Sequence, residues 1–341
     1  MRAAIYNPYL DTLGGGERYS MAVAQTLVEA GYKVDVEWSS PSMKEKLEKR
    51  FGIGLEGVSF VGDVKRGDGY DICFWVSDGS IPTLKARKNF LHFQVPFQKV
   101  KGKTLLNRMK LFRISKVICN SKFTKSFIDK EYGVEAVVIY PPVPVDKIRP
   151  KKKENLILFV GRFSQLEQVK KQDVLVTAFK RLYGSGLKHW RLVLAGGVEV
   201  GGREFVQKLK KSVGNYPIEI LESPSFKEIA SLYGRAKIFW SAVGFGINER
   251  KEPEKVEHFG ISVVEAMAGG AVPIAYRAGG YREIIIDGEN GILWSKLSEL
   301  TGKSLKLISD KVEFKKMAEA AKERSKAFGY EVFNREIEKY L

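Results

Sequence analysis

The 341-residue sequence is poor in the residues that cross-link small secreted domains or span membranes. Its two cysteines, Cys73 and Cys119, both lie in apolar, strand-like contexts. Two such thiols indicate core packing in a reducing compartment and exclude a disulfide framework. No run approaches the roughly 18 uncharged apolar residues of a membrane-spanning helix, and the first residues predict a short strand and not a signal peptide. We therefore expect a cytoplasmic protein or one on the cytosolic face of a membrane.

Histidine is also scarce, and the three residues His92, His189 and His258 are too scattered for a metal site. No Asp-x-Asp motif stands in a convincing setting, since Asp287 belongs to a turn and residues 35–37 to a strand. We therefore expect no metal and no cofactor. His92 ends an apolar strand, where an unpartnered polar residue is costly. Its place at the ligand-binding edge of a sheet favours a functional role over a structural one.

Acidic residues are outnumbered, with 40 Asp and Glu against 57 Lys and Arg, and the net charge is +17. Between Lys85 and Lys130 thirteen basic residues accompany the single acid Asp129, a local charge of +12. Such a region attracts polyanions, either nucleic acid or an anionic membrane. The basic residues predicted to face a membrane or acceptor are Lys99, Lys101, Lys103, Arg108, Lys110 and Arg113.

Residues 104–113 of this region resemble a basic amphipathic helix. The apolar residues that cluster on one helical face are Leu105, Leu106, Met109 and Phe112. Leu111 lies outside this face and Arg113 crowds it, so the pattern fits either interfacial membrane binding or a surface helix packed on its own domain. A solvated basic face is a further alternative. Nucleic-acid binding lacks a recognisable module with interleaved aromatics.

The chain is longer than a single core usually serves, which predicts two domains. Short β-branched runs alternate with longer amphipathic stretches, the pattern of parallel sheets with crossover helices. The predicted strands are 3–6, 33–38, 59–61, 72–76, 90–93, 116–119, 136–139, 155–161, 191–195, 218–221, 238–241, 272–275 and 292–294. We predict two doubly wound, Rossmann-like α/β domains that bind ligands at the carboxyl ends of their strands.

Prolines followed by a charge run mark the boundary between the domains. We predict an N-terminal domain over 1–146, a linker over 147–154 and a C-terminal domain over 155–325. The remaining residues, 326–341, form an amphipathic helical segment.

Two carboxylates, Glu257 and Glu265, lie eight residues apart around a Phe-Gly bend. If Gly260 opens a helix, Glu257 precedes the helix and Glu265 lies more than a turn inside it, so the two cannot share one helical face. The free N–H groups at the helix start favour an anion such as a diphosphate. The pattern indicates contacts with different parts of one extended ligand.

Two further loops offer groups for an anionic ligand. Glycines 14–16 lie between a strand and a helix, where exposed N–H groups can bind phosphate. A dinucleotide fingerprint is the alternative, but Tyr19 occupies its third glycine position. Arg162 and Lys170 follow a later strand, and could neutralise a departing diphosphate or remain solvated cations.

The run from Glu257 to Leu293 contains Glu-x7-Glu, Ala-Met-Ala-x-Gly, a small-Pro strand, Gly-Gly and Asn-Gly. This order closely resembles the retaining glycosyltransferases of family 4. Gly-Gly-Gly-Glu-Arg together with Glu-His-Phe-Gly-Ile is most similar to the α-1,2-mannosyltransferases of that family that act on dolichyl-diphosphate-linked oligosaccharide. The resemblance implies a GT-B fold, with two Rossmann-like domains facing across a cleft and a C-terminal helix returning to the first domain.

The resemblance also implies a role for each matching residue. The expected catalytic residues are Glu257, His92, Arg162 and Lys170, with Glu257 and His92 beside the transferred sugar. The expected donor-binding residues are Gly15, Gly16, Arg162, Lys170, Phe259, Gly260, Ile261 and Glu265. Glu265 would hold the ribose hydroxyls. Because Lys171 replaces a frequent glycine, the resemblance leaves open which of the two lysines reaches the phosphate.

These expectations describe a retaining, metal-independent hexosyltransferase. Its donor would be a nucleotide sugar, GDP-mannose above others, and its acceptor a lipid-linked glycan. It would be cytoplasmic and peripheral on an anionic membrane surface, and would bind no nucleic acid. The alternatives are the same fold with a UDP-sugar donor and a soluble acceptor, or a basic nucleic-acid-binding protein.

Overall fold

The structure, a computed structural model, describes residues 1–12, 14–165, 168–199 and 201–341. Contacts between these residues divide the chain into two compact units. The first unit contains Met1–Pro142 and Tyr330–Leu341, and the second contains Val143–Gly329. Across the described ranges, no helix combines the length and the apolar character needed to cross a bilayer.

The first unit is built on a seven-stranded sheet in which all paired strands are parallel. Its strands are β1 (Arg2–Tyr6), β2 (Lys33–Glu37), β3 (Val58–Val61), β4 (Ile72–Val76), β5 (Lys88–Phe93), β6 (Lys116–Cys119) and β7 (Val137–Val138). Its first four helices are α1 (Gly15–Glu29), α2 (Met43–Phe51), α3 (Leu105–Leu111) and α4 (Lys122–Tyr132). The strand order is β3-β2-β1-β4-β5-β6-β7.

The second unit repeats the pattern with a six-stranded parallel sheet in the order β10-β9-β8-β11-β12-β13. Its strands are β8 (Glu154–Val160), β9 (Arg191–Gly196), β10 (Ile218–Glu222), β11 (Ala236–Ser241), β12 (Val272–Tyr276) and β13 (Ile292–Trp294). Its helices are α5 (Gln172–Gly184), α6 (Gly202–Val213), α7 (Phe226–Arg235), α8 (Ile261–Ala268), α9 (Tyr281–Ile284), α10 (Leu297–Ser309) and α11 (Lys311–Ser325).

The last helix, α12 (Tyr330–Glu338), completes the first unit. Phe333 and Ile337 are buried in the core beneath α1. The Phe333 ring meets Tyr19 edge-on at 5.0 Å, and the Thr26 hydroxyl donates to Asn334 Oδ1 at 3.0 Å. Helix α12 is therefore held by both core packing and a polar contact.

All the predicted strands are present, with ends that differ by two residues or fewer. The prediction succeeds because strands buried on both faces are nearly continuous apolar runs. In β8, residues 156–159 are fully or almost fully buried. Cys73 and Cys119 are buried free thiols, as predicted, and burial raises the pKa of Cys73 to about 12.

Residues 143–154, predicted to end the first domain and form the linker, lie in the second unit. The Lys151 N–H donates to Gly234 O at 3.0 Å, and Lys153 Nζ donates to Ala236 O at 2.8 Å and to Gly269 O at 2.6 Å. Two lysines of the predicted linker are thus bound to the second sheet and its helices. Residues 326–329, predicted to begin the C-terminal segment, also belong to the second unit.

In each sheet, successive strands are first added on one side of the first strand and then on its other side. The strand order therefore reverses at one point. This switch point lies between β1 and β4 in the first unit and between β8 and β11 in the second. Open α/β sheets bind ligands outside the carboxyl ends of the strands at such a point. The loops that follow β8 and β11 are therefore the places to look for a site in the second unit.

Candidate functional site

Gly260 forms the bend that starts α8. Its φ is +120°, and a Cβ at this position would lie 2.8 Å from the Tyr281 ring. Only glycine fits such a conformation at such a distance. The backbone N–H groups of Ile261 and Ser262 have no hydrogen-bond partner among the described residues, because the first turn of an α-helix leaves its donors free. The predicted helix start is confirmed, and its donors are available to an anion.

An ion pair joins the loops that follow β8 and β11. Lys170 Nζ lies 3.0 Å from Glu257 Oε2 and donates to Gln168 Oε1 at 2.6 Å. The side chains of Lys170 and Glu257 are only 12% and 16% exposed, respectively. Because both charged groups are shielded from water, each has lost part of its hydration. Removing one of them would leave the other charge buried without its counter-ion, which is unfavourable. Two residues 87 positions apart are thus brought together at the switch point.

Tyr281 extends this cluster, although the sequence analysis assigned it no role. Its hydroxyl lies 2.7 Å from Ser241 Oγ at the end of β11. Burial, followed by the negative charge of Glu257, raises the pKa of Tyr281 well above its ordinary value. Tyr281 therefore stays neutral and can donate a hydrogen bond beside Glu257.

A pair of glycines supports the backbone of Glu257. The Gly280 N–H donates to Glu257 O at 2.9 Å, and a Cβ at Gly279 would lie 2.0 Å from the same oxygen. The Gly279 N–H donates to Glu249 Oε2 at 2.9 Å, and Glu249 also pairs with Arg282 at 2.8 Å. Glu249 belongs to the charged loop 244–255, for which the sequence suggested no role. It fixes the turn on which the Glu257 loop rests.

The end of β8 is held by close backbone packing. The Gly161 N–H donates to Ala195 O at 2.9 Å, and a Cβ at Gly196 would lie 2.0 Å from Gly161 O. The buried Gln172 side chain donates to Arg162 O at 2.8 Å. This leaves the Arg162 guanidinium half exposed, where it pairs with Glu199. Arg162 is thus presented at the carboxyl edge of the sheet.

Lys170 and Lys171 differ in conformation. Lys171 caps the N-terminus of α5 with φ +57°, in the left-handed region. Glycine adopts this region without steric cost, which is the physical reason that glycine suits the position. The ammonium group of Lys170, by contrast, lies against Glu257.

The Glu265 carboxylate lies inside α8 and is buried. The buried Tyr233 hydroxyl of α7 donates to Glu265 Oε2 at 2.8 Å. The Phe259 ring is also buried and meets Phe328 edge-on at 5.4 Å. With its ring enclosed, Phe259 could meet a donor only through its backbone; the resemblance places Phe259 among the donor-binding residues.

In the first unit, the glycine loop runs into α1, with Gly14 as the N-cap and Gly15 and Gly16 as the first helical residues. Gln94 Nε2 donates to Gly16 O at 3.3 Å, and a Cβ at Gly16 would collide with the Gln94 side chain. Glu17 accepts hydrogen bonds from the Gly14 N–H at 2.6 Å and from the Thr12 hydroxyl at 2.9 Å. The loop therefore uses its own carboxylate as a cap.

Residues 145–324, more than half of the chain, match the family described as Glycosyl transferases group 1. The chain belongs to this family.

Two relatives and one solved structure illustrate the similarity. An uncharacterised glycosyltransferase of Methanocaldococcus jannaschii is 33% identical over 224 residues, which cover 63% of this chain and 56% of the relative. The GDP-Man:Man(3)GlcNAc(2)-PP-Dol α-1,2-mannosyltransferase of Dictyostelium discoideum is 26% identical over 241 residues, covering 66% and 46%. The chain thus spans about half the length of the curated relatives it matches. The Anabaena HepE structure, in complex with UDP and glucose, is 18% identical with a TM-score of 0.77 and covers 99% of this chain and 98% of its own. This likeness confirms the GT-B fold.

The position of His92 in this glycosyltransferase differs from the prediction. Its ring has no exposed surface and stacks on Tyr19 of α1 at 4.0 Å. Burial lowers the pKa of His92 to about 3, while the backbone of Ile118 opposes this shift. A side chain enclosed in the core cannot contact a sugar, so the structure does not support the predicted catalytic role. Gln94, two residues later and beyond the strand, is the side chain that reaches the glycine loop.

Two residues predicted to face a membrane or acceptor donate hydrogen bonds within the first unit of this glycosyltransferase. Lys110 Nζ donates to Ile81 O at 2.9 Å, and Arg113 Nε donates to Leu84 O at 2.7 Å. Their side chains thus serve as hydrogen-bond donors to main-chain acceptors of the first unit. Arg113 is nevertheless exposed, and so are Lys99, Lys101, Lys103 and Arg108.

The other two histidines have simpler places. His189 is exposed, and His258 Nε2 lies 3.2 Å from Glu254 O, where it braces the loop before α8. In the part of the chain that the structure describes, His, Cys, Asp and Glu side chains form no group of three or more suited to a metal ion.

Proposed function

We propose that this glycosyltransferase moves mannose from GDP-mannose, with retention of the anomeric configuration, onto a lipid-linked glycan at a membrane surface. The observation that carries the proposal is the Lys170–Glu257 pair beside the start of α8. It puts a cation and a carboxylate at the switch point of the unit that matches the family. A nucleotide sugar needs both, one for its phosphates and one for its sugar.

The leaving diphosphate is assigned to the cationic side of this site. The bond between the anomeric carbon and the diphosphate oxygen breaks, and its electron pair stays with the diphosphate. An acceptor hydroxyl oxygen bonds to the anomeric carbon, and its proton passes to the departing diphosphate oxygen. The N–H groups of Ile261 and Ser262, together with Lys170, offer donors to the charge that develops there. Arg162 supplies a second cation at the same edge of the sheet. On this proposal, these groups make a divalent ion unnecessary.

The transferred sugar is assigned to Glu257. When a phosphate oxygen takes over part of the Lys170 interaction, the carboxylate is left to accept hydrogen bonds from sugar hydroxyls. It also opposes the positive charge of an oxocarbenium-like transition state. Glu265, anchored by Tyr233, is assigned to the ribose hydroxyls.

The sugar, the base and the acceptor rest on similarity and charge. The Dictyostelium relative is named for GDP-mannose as donor and a dolichyl-diphosphate glycan as acceptor. The exposed basic residues of the first unit suit an acceptor embedded in an anionic membrane.

A calorimetric screen of GDP-mannose, GDP-glucose, UDP-glucose and UDP-N-acetylglucosamine, with GDP and UDP alone, tests the donor. We expect GDP-mannose and GDP to bind, and transfer to a lipid-linked Man(3)GlcNAc(2) acceptor to continue when EDTA is present. Preferential binding of UDP-sugars with transfer to a free glucan would replace the donor and acceptor but keep the reaction class. Steeply salt-dependent RNA binding without response to any nucleotide sugar would reject the proposal.

A further inference from the structure

Helix α3 differs from the other helices of the first unit because none of its residues is buried. Four of the large apolar side chains at this helix and its C-cap lie open to water. Leu105, Leu106, Met109 and Phe112 are 76%, 61%, 61% and 91% exposed, respectively. Leu105, Met109 and Phe112 are spaced by four and three residues, so they share one face. A contiguous exposed apolar face of this kind marks an interaction site.

The opposite side of α3 explains why the apolar face points outward. Leu111 and Ile114 pack against the buried cluster that contains Phe93 and Tyr132. Lys110 and Arg113 donate to main-chain carbonyl oxygens of the segment 81–84. One side of the helix is therefore held against its unit by packing and hydrogen bonds. The helix cannot rotate about its axis to bury the other side.

The loop before α3 is fixed with comparable care. The Glu131 carboxylate accepts hydrogen bonds from the backbone N–H groups of Lys99, Val100 and Gly102, at 3.0, 3.0 and 3.3 Å. Lys99 and Lys101 adopt the left-handed region, with φ +61° and +54°. Non-glycine residues hold this conformation only when their surroundings enforce it. The result is a built loop that leaves its lysine side chains exposed next to the apolar face.

We propose that α3 is a membrane-insertion element whose outward face, Leu105, Leu106, Met109 and Phe112, enters the interface of an anionic bilayer. The exposed cations of the same region, Lys99, Lys101, Lys103 and Arg108, lie at the depth of the lipid headgroups. This arrangement of an apolar face bordered by cations is the one that binds anionic membrane surfaces. A second copy of the chain would bring a region of local charge +12 against its equal, which disfavours self-association at this surface. A nucleic-acid backbone would leave the aliphatic side chains without partners.

This inference specifies the membrane contact of the proposed function, but does not depend on the identity of the donor sugar. Its failure and the failure of the proposed function are therefore distinguishable. Donor binding is measured by titration with GDP-mannose in the absence of lipid, and membrane binding is measured in the absence of donor.

The first experiment is co-sedimentation with vesicles of phosphatidylcholine alone and of an equimolar mixture with phosphatidylserine. Wild type should sediment with the mixed vesicles. Phe112→Ser should weaken this binding, and the combined variant Leu105→Ser, Met109→Ser, Phe112→Ser should lower the partition coefficient by about 10-fold or more, because three large apolar side chains no longer enter the bilayer. The matched control is Val312→Ser, since Val312 is 81% exposed on α11 of the second unit. It should bind as wild type does.

Charge is tested separately from insertion. Substitution of Lys99, Lys101 and Lys103 by Gln should lower binding to the mixed vesicles and flatten its dependence on salt. The control substitutes Lys311, Lys315 and Lys316 by Gln, because these exposed lysines of α11 change the net charge equally. A control that lowers binding as much as the first set would show that only total charge matters, and would contradict a localised surface.

Insertion itself is read from an environment-sensitive fluorophore on Phe112→Cys, with Val312→Cys as the control. Labelling is selective because Cys73 and Cys119 are buried. Position 112 should shift to the blue and be quenched by lipids brominated on their acyl chains, while position 312 should not. Sedimentation without this shift would reduce the contact to electrostatics and overturn the proposal. A wild-type dimer that is lost in the triple variant would also overturn the proposal. So would binding to single-stranded RNA without binding to vesicles.

Discussion

The switch point of the second unit holds an almost buried ion pair, whereas that of the first unit holds polar groups that satisfy one another. In the second unit, Lys170 meets Glu257 beside two free N–H groups. In the first, Glu17 caps the Gly14 N–H of its own loop, and Asn7 Nδ2 donates to Ser20 Oγ at 3.0 Å. Both sheets have the same doubly wound construction. Topology therefore gives the place of a site, and the pairing of charges is the reason that we assign the donor to the second unit.

The two units also differ in where they keep their positive charge. The second unit has Arg162 and Lys170 at the carboxyl edge of its sheet, each beside a carboxylate. The first unit concentrates its excess around α3, where thirteen basic residues accompany one acid. A cation beside a carboxylate suits a small anionic ligand that replaces that partner, and an excess of positive charge over a surface suits an extended anionic partner.

Replacement of Lys170 is the strongest test of this difference between the two units. We expect Lys170→Ala to lower kcat/KM for mannosyl transfer by about 100- to 1000-fold, because a donor to the developing charge is lost and Glu257 is left unpaired. The matched control is Lys171→Ala, which should cost less than about 10-fold. Steady-state kinetics, with circular dichroism to confirm folding, measures both. Equal losses in the two variants would remove the distinction between the lysines.

Removing the buried carboxylate should have the next largest effect. We expect Glu265→Ala to weaken GDP binding by about 2–3 kcal/mol, which is on the order of 30- to 150-fold in the dissociation constant. Tyr233→Phe should cost about 1 kcal/mol, since it removes one hydrogen bond to that carboxylate. Isothermal titration calorimetry with GDP measures both, and the exposed Glu289→Ala is the control. Unchanged GDP affinity in Glu265→Ala would assign this residue to the helix packing alone.

The glycine turn under Glu257 allows a test of positioning. Gly279→Ala and Gly288→Ala both introduce a side chain at positive φ, +54° and +83°, which costs roughly 1–2 kcal/mol in each case. Only at Gly279 would the Cβ meet the Glu257 carbonyl oxygen, whereas nothing lies within 4 Å at Gly288. We therefore expect Gly279→Ala to lower the free energy of unfolding in urea by more than Gly288→Ala does. We also expect Gly279→Ala to lower transfer activity. Matching activities in the two variants would mean that the Glu257 loop tolerates displacement.

His92 should matter least to catalysis, although it should matter to the pH dependence of stability. We expect His92→Phe to change kcat/KM by less than about 3-fold. The pKa of about 3 in the folded state lies below the ordinary value of 6.5, so the unfolded chain takes up the proton first. Wild-type stability should therefore fall as pH drops from 6.5 toward 3, with a contribution from His92 of at most about 1.4 kcal/mol per pH unit. Urea unfolding of wild type and His92→Phe across this range isolates that slope. A hundredfold loss of activity would restore the catalytic role.

Much of the fold follows from the sequence because its signals are local. Strands buried on both faces are short apolar runs, and the bend before α8 needs a glycine at φ +120°. The resemblance assigned Lys170 and Glu257 to one site, and the structure explains their nearness, since β8 and β11 are neighbours and their carboxyl ends meet at one edge.

What the sequence could not supply depends on contacts between distant segments. His92 lies at the end of a strand, as predicted. Packing against the Tyr19 ring determines which face of the sheet the His92 ring occupies. The Glu249 carboxylate meets the Gly279 N–H thirty residues away, and nothing in the charged loop 244–255 signals that partner. Likewise, the carbonyl oxygens of residues 81 and 84 accept hydrogen bonds from the side chains of Lys110 and Arg113. Charge patterning along one helix gives no information about such acceptors.

The way in which the chain passes between its units has a consequence for biosynthesis. The second unit is one uninterrupted segment, and its ends meet where the Val143 N–H donates to Phe328 O at 2.8 Å. Every residue of the second unit is therefore translated before the last helix of the first unit. The first unit is begun earlier but has to wait, because Phe333 and Ile337 fill its core. The segment translated first is thus the last to be completed.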